Sequence, residues 1–422
     1  MLKLLIAALG EISTGELIIA YSFWESMDSD VFSGVFLVPE NRAGILANKE
    51  CRTMLLSQKD TPECNRKKID VLIDEEKFDY ILLFDAFTFE YAQHWTGCNF
   101  QYLRDKHIPL ISLDEYEYGS NGYRLDYYGY FIRKLPALLD SCDFLIRECP
   151  PAFPEMTRKK NNREFYYQTF GNSPRHLAAE DREAVRRRYA SAFSLDDRVV
   201  MFTTSSWEMQ GAYSFTCQNH LIRQLGPILS HYLADIAQGK IIMVHVGPEK
   251  WDLPPQVGNL FYIHYDKLRR DEFEALLQSS DLYLTYNQVS ITLSKAAYFQ
   301  VPSAVLNNDR MICFEKLKGK LHERPQWYQE VAEDVQQVYP FSASMFGWND
   351  FLKNLFAENP YCSTFMRLPM FRYSEVCEKL GSLLYQKEVI QKMKLAQKEY
   401  FKRCAEIPYA NDVMKCIAEV KV

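Results

Sequence analysis

Carboxylates beside glycine-bounded loops are natural proton-transfer groups, and this sequence opens with one. Residues 2–27 read LKLLIAALGEISTGELIIAYSFWESM: an apolar run Leu2–Leu9, a short loop Gly10-Glu11-Ile12-Ser13-Thr14-Gly15, and a helix-like segment from Glu16. Gly10 and Gly15 permit close approach of a ligand, and Ser13 and Thr14 add hydroxyls. Glu16 at the helix start is the first candidate for acid–base work, with Glu11 in the same loop as the alternative. A first-turn carboxylate also stabilises the helix dipole, so that reading of Glu16 stands beside the catalytic one. Asp85 follows the apolar run Tyr80–Phe84, where it could orient a ligand or cap a helix.

These residues need a scaffold, and the hydrophobic pattern predicts one. Short apolar runs alternate with helix-length segments at Leu2–Leu9, Gly34–Val38, Tyr80–Phe84, Pro109–Leu113 and Phe144–Arg147. Continuous rather than alternating apolar runs fit a parallel sheet covered on both faces. The rhythm stops near Pro150–Pro154 and resumes after a helix near Glu180–Ala192 and a turn at Asp196-Asp197. A second series follows: Val199–Thr204, Lys240–Val246, Leu260–His264, Leu282–Thr285 and Ser303–Leu306, separated by helical segments such as Gln218–Ala237 and Arg270–Ser279. The expectation is an α/β protein of two tandem Rossmann-like, doubly wound domains facing a cleft, residues 1–185 and 186–422. Residues 307–375, rich in aromatics, read as an elaboration, and Val376–Cys404 as one long, lysine-rich helix. The first loop lacks the G-x-G-x-x-G spacing of a dinucleotide fold.

Within that scaffold His245 and His264 each end a candidate strand, where a side chain either approaches a nucleotide or serves the interior. Gly247 would let backbone come close to a ligand. Tyr116, Tyr118, Tyr123, Tyr127, Tyr128 and Tyr130 follow Pro109–Leu113 and offer either stacking faces or a packed loop.

Composition narrows the class. The chain has 422 residues, 47% hydrophobic and 25% charged, with a net charge of −6, which suits folded domains and disfavours a nucleic-acid partner. The basic runs Arg158-Lys159-Lys160 and Arg186-Arg187-Arg188 read as solvated surface. Eleven cysteines, without paired C-x-x-C spacing, point to free thiols in a reducing, cytoplasmic setting. No apolar run is long enough for a transmembrane segment, and Leu4–Leu9 is too short for a signal peptide.

Three local patterns carry a family resemblance. Gly15-Glu16-Leu17-Ile18-Ile19-Ala20 resembles the start of the first helix in GT-B glycosyltransferases of the UDP-glycosyltransferase and MurG type, with glutamate standing where many have a catalytic histidine. Leu260–Leu306 is similar to their donor-binding half. Asn287, Gln288, Ser290 and Thr292 occupy the donor turn without its glycines, and Lys295 replaces the glutamate that would hold a ribose. Thr203-Thr204-Ser205-Ser206-Trp207 lies where the family has a small-residue loop near the donor phosphates, which hydroxyls and amides suit.

The resemblance implies a glycosyltransferase that moves a sugar from a UDP, dTDP or GDP sugar to an acceptor nucleophile. Glu16 is the implied base, and Glu11 and Asp85 are alternates. Thr203, Thr204, Ser205, His245, Gly247, His264, Asn287, Gln288, Ser290, Thr292 and Lys295 fall on the donor side. Gly10, Ser13, Thr14, Gly15, Tyr116 and Tyr118 fall on the acceptor side. No metal is implied: Asp28-Ser29-Asp30 imitates a metal-binding Asp-x-Asp but follows a helix and lacks a third ligand. No cofactor beyond the donor is expected, and a homodimer or partner protein is left open. A nucleotide-sugar epimerase on the same fold, and a non-catalytic homologue that binds or activates a partner, remain as alternatives.

Overall fold

The computed structural model describes residues 1–11, 15–47, 49–114, 138–154, 163–170, 175–189, 194, 196–205, 216–307, 321–336 and 353–420. The chain forms two compact units. One comprises Met1–Pro174 with Cys404–Val422, the other Arg175–Arg403.

The first unit is built on β1 (Leu2–Ala7), β2 (Phe32–Pro39), β3 (Arg52–Leu56), β4 (Tyr80–Leu83), β5 (Leu110–Leu113), β6 (Phe144–Cys149) and β7 (Glu164–Gln168). Their order is β3-β2-β1-β4-β5-β6-β7, and every adjacent pair is parallel. The order reverses between β1 and β4, the switch point at which such sheets place ligands beyond their strand carboxyl ends. Leu4, Leu5, Ile6, Ile81 and Leu82 are buried, because helices cover both faces. The helix Gly15–Glu25 lies on one face, with Phe23 edge-on to Phe84 (5.5 Å) and Tyr167 (5.0 Å). Gly34 lets it approach: a Cβ there would lie 2.9 Å from the Trp24 ring.

The second unit repeats the plan with β8 (Arg198–Thr203), β9 (Ile241–Val246), β10 (Gln256–Val257), β11 (Leu260–Tyr265), β12 (Leu282–Thr285), β13 (Ser303–Asn307) and β14 (Met366–Pro369). The order is β10-β11-β9-β8-β12-β13-β14, parallel except for the antiparallel β10 edge. Its switch point falls between β8 and β12. The core joins the helix Thr216–Ile236 to the sheet through Leu225, Leu229 and Leu233 against Val200, Phe202 and Met243.

Four differences from the sequence expectation have physical causes. The first unit ends at Pro174 rather than 185 and takes back residues 404–422. There the helix Ala410–Glu419 buries Val413, Met414 and Ile417, and Gln168 donates its Nε2 to the Ile407 carbonyl and its backbone N–H to Pro408. The Asp28-Ser29-Asp30 turn helps anchor this return, since Asn411 accepts from the Asp28 N–H and Lys415 lies 3.4 Å from Asp28 Oδ2. The expected long helix 376–404 is two, Tyr373–Tyr385 and Lys387–Cys404, parted by an extended Gln386. Beyond that break, Gln397 donates to the carbonyls of Val301 and Thr364 and fixes the new direction.

The expected elaboration at 307–375 is woven into the second unit: its described residues supply β14 to the sheet and the helix Gln326–Gln336 beside Thr216–Ile236. Finally, the apolar pattern does not reveal β3, β7, β10 and β14. They are edge or near-edge strands, short and partly polar, and so lack the continuous apolar signal of central strands. No helix among the described residues is long and apolar enough to cross a membrane.

Candidate functional site

At the first switch point, Glu16 enters from the helix after β1 and Asp85 from the end of β4. Glu16 Oε1 accepts from the Leu9 N–H (3.2 Å) and from Thr88 Oγ1 (3.0 Å). The residue is only half-buried overall, yet its Oε2 is sealed from solvent and has no hydrogen-bond partner among the described residues. Burial first, and the Asp85 charge second, push the Glu16 carboxyl up to about 8, against the hydrogen bonds from Thr88, Gly10 and Leu9. A carboxyl raised in this way beside a second carboxylate has the electrostatics of a candidate acid–base group.

Asp85 also serves the structure. Its Oδ1 accepts from the N–H groups of Phe87 (2.7 Å) and Thr88 (3.3 Å), capping the helix Ala86–Tyr91. Of the two sequence readings of Asp85, the helix cap is the one these hydrogen bonds show. Glu11 faces other loops. Gln58 Nε2 donates to its Oε1 at 3.0 Å, His94 Nε2 lies 3.5 Å away, and the Arg42 guanidinium donates to its backbone carbonyl. Ser13, Thr14, Tyr116, Tyr118, Ser206 and Trp207 lie outside the described residues.

At the second switch point Thr203 Oγ1 and Tyr283 OH are 2.7 Å apart. His245 belongs to the interior rather than to a ligand surface, which corrects the donor role expected of it. It is 0% exposed and stacks on Trp251 at 4.0 Å. Nδ1 is 3.0 Å from Tyr262 OH, Nε2 is 2.9 Å from Thr204 Oγ1, and the Trp251 N–H donates to Tyr262 OH. Both ring nitrogens are thus hydrogen-bonded to hydroxyls. Burial, then the neighbouring His264, holds His245 neutral with its pKa down to about 3. His264 Nε2 donates to the Gly247 carbonyl (2.9 Å).

Gly247 is required by packing: a Cβ there would lie 1.9 Å from Thr204 Oγ1. Gly247→Ala is expected to cost about 1–3 kcal/mol through this overlap, read as a lower denaturation midpoint. An unchanged midpoint would mean that the loop relaxes freely.

After β12, the Asn287 N–H donates to Thr285 Oγ1, and Asn287 Oδ1 accepts from Val289. Ser290 caps the helix Ile291–Tyr298, accepting from the Thr292 N–H at 3.2 Å. Gln288 is buried. Lys295 is paired with Glu274, Nζ to Oε1 2.6 Å, and Arg270 approaches the same carboxylate at 3.4 Å. The donor contact expected of Lys295 is therefore replaced by an ion pair within the unit. Thr203 ends β8 and Ser205 follows it, while Asn287, Ser290 and Thr292 follow β12, the strand paired with β8.

Sequence reasoning missed three charged residues. Arg147 and Asp114 are both fully buried, Nε to Oδ2 3.3 Å, and Arg147 Nη1 donates to Tyr166 OH at 2.9 Å. Glu148, next in the strand, is also buried. The signal was there: an Arg-Glu pair inside the otherwise apolar strand FLIREC.

The model of the family of unknown function DUF6365 matches residues 23–421. The chain belongs to this family. No curated protein matches the DUF6365 sequence. Among solved structures, this DUF6365 chain is similar to the spinosyn rhamnosyltransferase SpnG complexed with spinosyn aglycone, at 11% identity and TM-score 0.55, covering 99% of this chain and 100% of that one. It is similar to the glycosyltransferase VinC in complex with dTDP, at 10% identity and TM-score 0.54, with 99% of each chain covered. It is also similar to the UDP-GlcNAc 2-epimerase from Neisseria meningitidis bound to UDP-GlcNAc, at 10% identity and TM-score 0.52, covering 96% and 100%. At such identities the likeness establishes the fold: this DUF6365 member has the two-domain, Rossmann-like GT-B architecture.

Proposed function

We propose that this DUF6365 protein is a metal-independent glycosyltransferase that moves a sugar from a nucleoside-diphosphate sugar to an acceptor hydroxyl, with Glu16 as general base. The observation that carries the reading is Glu16 itself, a carboxyl raised to about 8 at the first switch point, with no hydrogen-bond partner for Oε2 among the described residues. In the reaction Glu16 takes the acceptor proton as the acceptor oxygen bonds to the sugar carbon, and the diphosphate leaves with the bonding electrons. We assign the donor diphosphate to Thr203, Thr204, Ser205 and the start of Ile291–Tyr298, since the N-terminal turn of a helix suits phosphate oxygens. SpnG and VinC, glycosyltransferases by name, support the class.

Thermal denaturation with UDP, GDP, dTDP and CMP tests the donor half. One nucleotide should raise the midpoint, because a ligand that binds only the folded state stabilises it. Ser290→Ala with Thr292→Ala should weaken that nucleotide about tenfold, on the scale of one or two lost charge-assisted hydrogen bonds. Unchanged affinity would put the nucleotide elsewhere.

A second reading, nucleotide-sugar epimerisation, is favoured by the adjacency of two carboxyl groups, Glu16 and Asp85, at one switch point and by the epimerase among the similar structures. Turnover of a sugar nucleotide without any acceptor would select it over transfer. No turnover despite nucleotide binding would leave a binding protein.

A further inference from the structure

The basic run Arg186-Arg187-Arg188, which reads as solvated surface, is not solvated throughout. Arg186 turns inward: Nη1 lies 2.7 Å from Asp281 Oδ2 and also donates to the Ser279 carbonyl. The same Asp281 oxygen accepts from the Val199 N–H at 2.7 Å, so this carboxylate is already engaged at the amino ends of β8 and β12. Arg182 stands one turn before Arg186 on the helix Ala179–Arg186 and therefore on the same side. Its Nε is sealed from solvent and finds no acceptor among the described residues. Lys394, from the helix Lys387–Cys404, is half-buried beside it and makes no ion pair among the described residues. Burial, and then the Arg182 cation, hold the Lys394 ammonium below the usual lysine range, with Asp281 acting the other way. Three cations thus lie near Asp281, a carboxylate that is already engaged.

We propose that Arg182, Lys394 and Arg186 form a phosphate-binding site at the amino-terminal edge of the second sheet, taking inorganic phosphate or a phosphate monoester. A phosphate carries about −1.5 to −2 charges near neutrality and so complements a cluster of cations. Its oxygens give Arg182 Nε the acceptor it lacks, and a guanidinium fork binds phosphate with two parallel hydrogen bonds. The site lies at the opposite strand ends from Thr203, Ser290 and Thr292, and it stands whether or not the chain transfers sugars.

Calorimetric titration of the full chain with inorganic phosphate, and separately with methyl phosphate, at an ionic strength fixed by sodium chloride, tests it. Saturable binding is expected, weakened about tenfold or more in Arg182→Gln and in Lys394→Gln, and kept in Lys394→Arg and in Lys387→Gln, which changes an exposed lysine on the same helix. Binding of inorganic phosphate alone would assign the site to the free ion, and binding of both to the monoester class as well. No binding by the wild-type chain beyond the chloride control overturns the proposal, whatever the variants do. So does equal affinity in both glutamine variants, or loss of binding in Ser290→Ala with Thr292→Ala but not in Lys394→Gln.

Discussion

With Glu16 as the proposed base, Glu16→Gln is expected to lower kcat by about 10²–10⁴-fold while leaving nucleotide affinity unchanged, the range for a positioned base that loses its basicity. Glutamine keeps the acceptor oxygen for Leu9 N–H and Thr88 Oγ1, so the local geometry survives. The pH profile separates the roles. A base with its pKa near 8 is only about one-tenth ionised at pH 7, so kcat/KM should rise with pH and level off above about 8. A group acting as an acid gives the reverse slope.

Stability moves with the opposite sign. The folded chain holds the Glu16 proton up to about pH 8, whereas an ordinary glutamate releases it near 4.5. The contribution of Glu16 to stability is therefore full below about pH 4.5 and declines as pH rises toward 8. Glu16→Gln should gain on the wild type across that window, by up to a few kcal/mol on the usual conversion of a pKa shift. A variant that loses stability with near-normal turnover would make Glu16 a helix-dipole partner only, and the base would be sought at Asp85 or Glu11.

Arg147→Met destabilises the first unit by about 3–5 kcal/mol, the cost of leaving a buried carboxylate without its cation. Arg147 and Asp114 are both 0% exposed, and Glu164 lies 3.4 Å from the same guanidinium. For a unit of this size the loss corresponds to a fall of about 10 °C in Tm. Adding Asp114→Leu should recover part of it, because replacing a whole buried pair with apolar groups costs far less than breaking it. A loss below about 1 kcal/mol in the single variant would mean that Asp114 takes up a proton at little cost.

The sequence by itself determined the two α/β series, the central strands and the prominence of Glu16. Leu2–Ala7, Tyr80–Leu83 and Leu282–Thr285 are buried on both faces of parallel sheets, so their apolar runs are continuous and legible without any partner. The glycine-bounded loop before Glu16 is likewise a local signal.

What remained hidden depends on residues far apart in the chain. Edge strands such as Arg52–Leu56 have one open side and no strong pattern. The division at Gln386 and the return of Ala410–Glu419 to the first unit follow from where Gln397 and Gln168 find their carbonyl partners. The raised Glu16 carboxyl comes from burial and from Asp85, some seventy residues away, brought beside it by the β1–β4 pairing. His245 and Lys295 look alike in sequence to ligand-binding residues. Only the fold put Trp251 and Tyr262 around one and Glu274 against the other, because burial and ion pairing are properties of three-dimensional neighbours rather than of spacing.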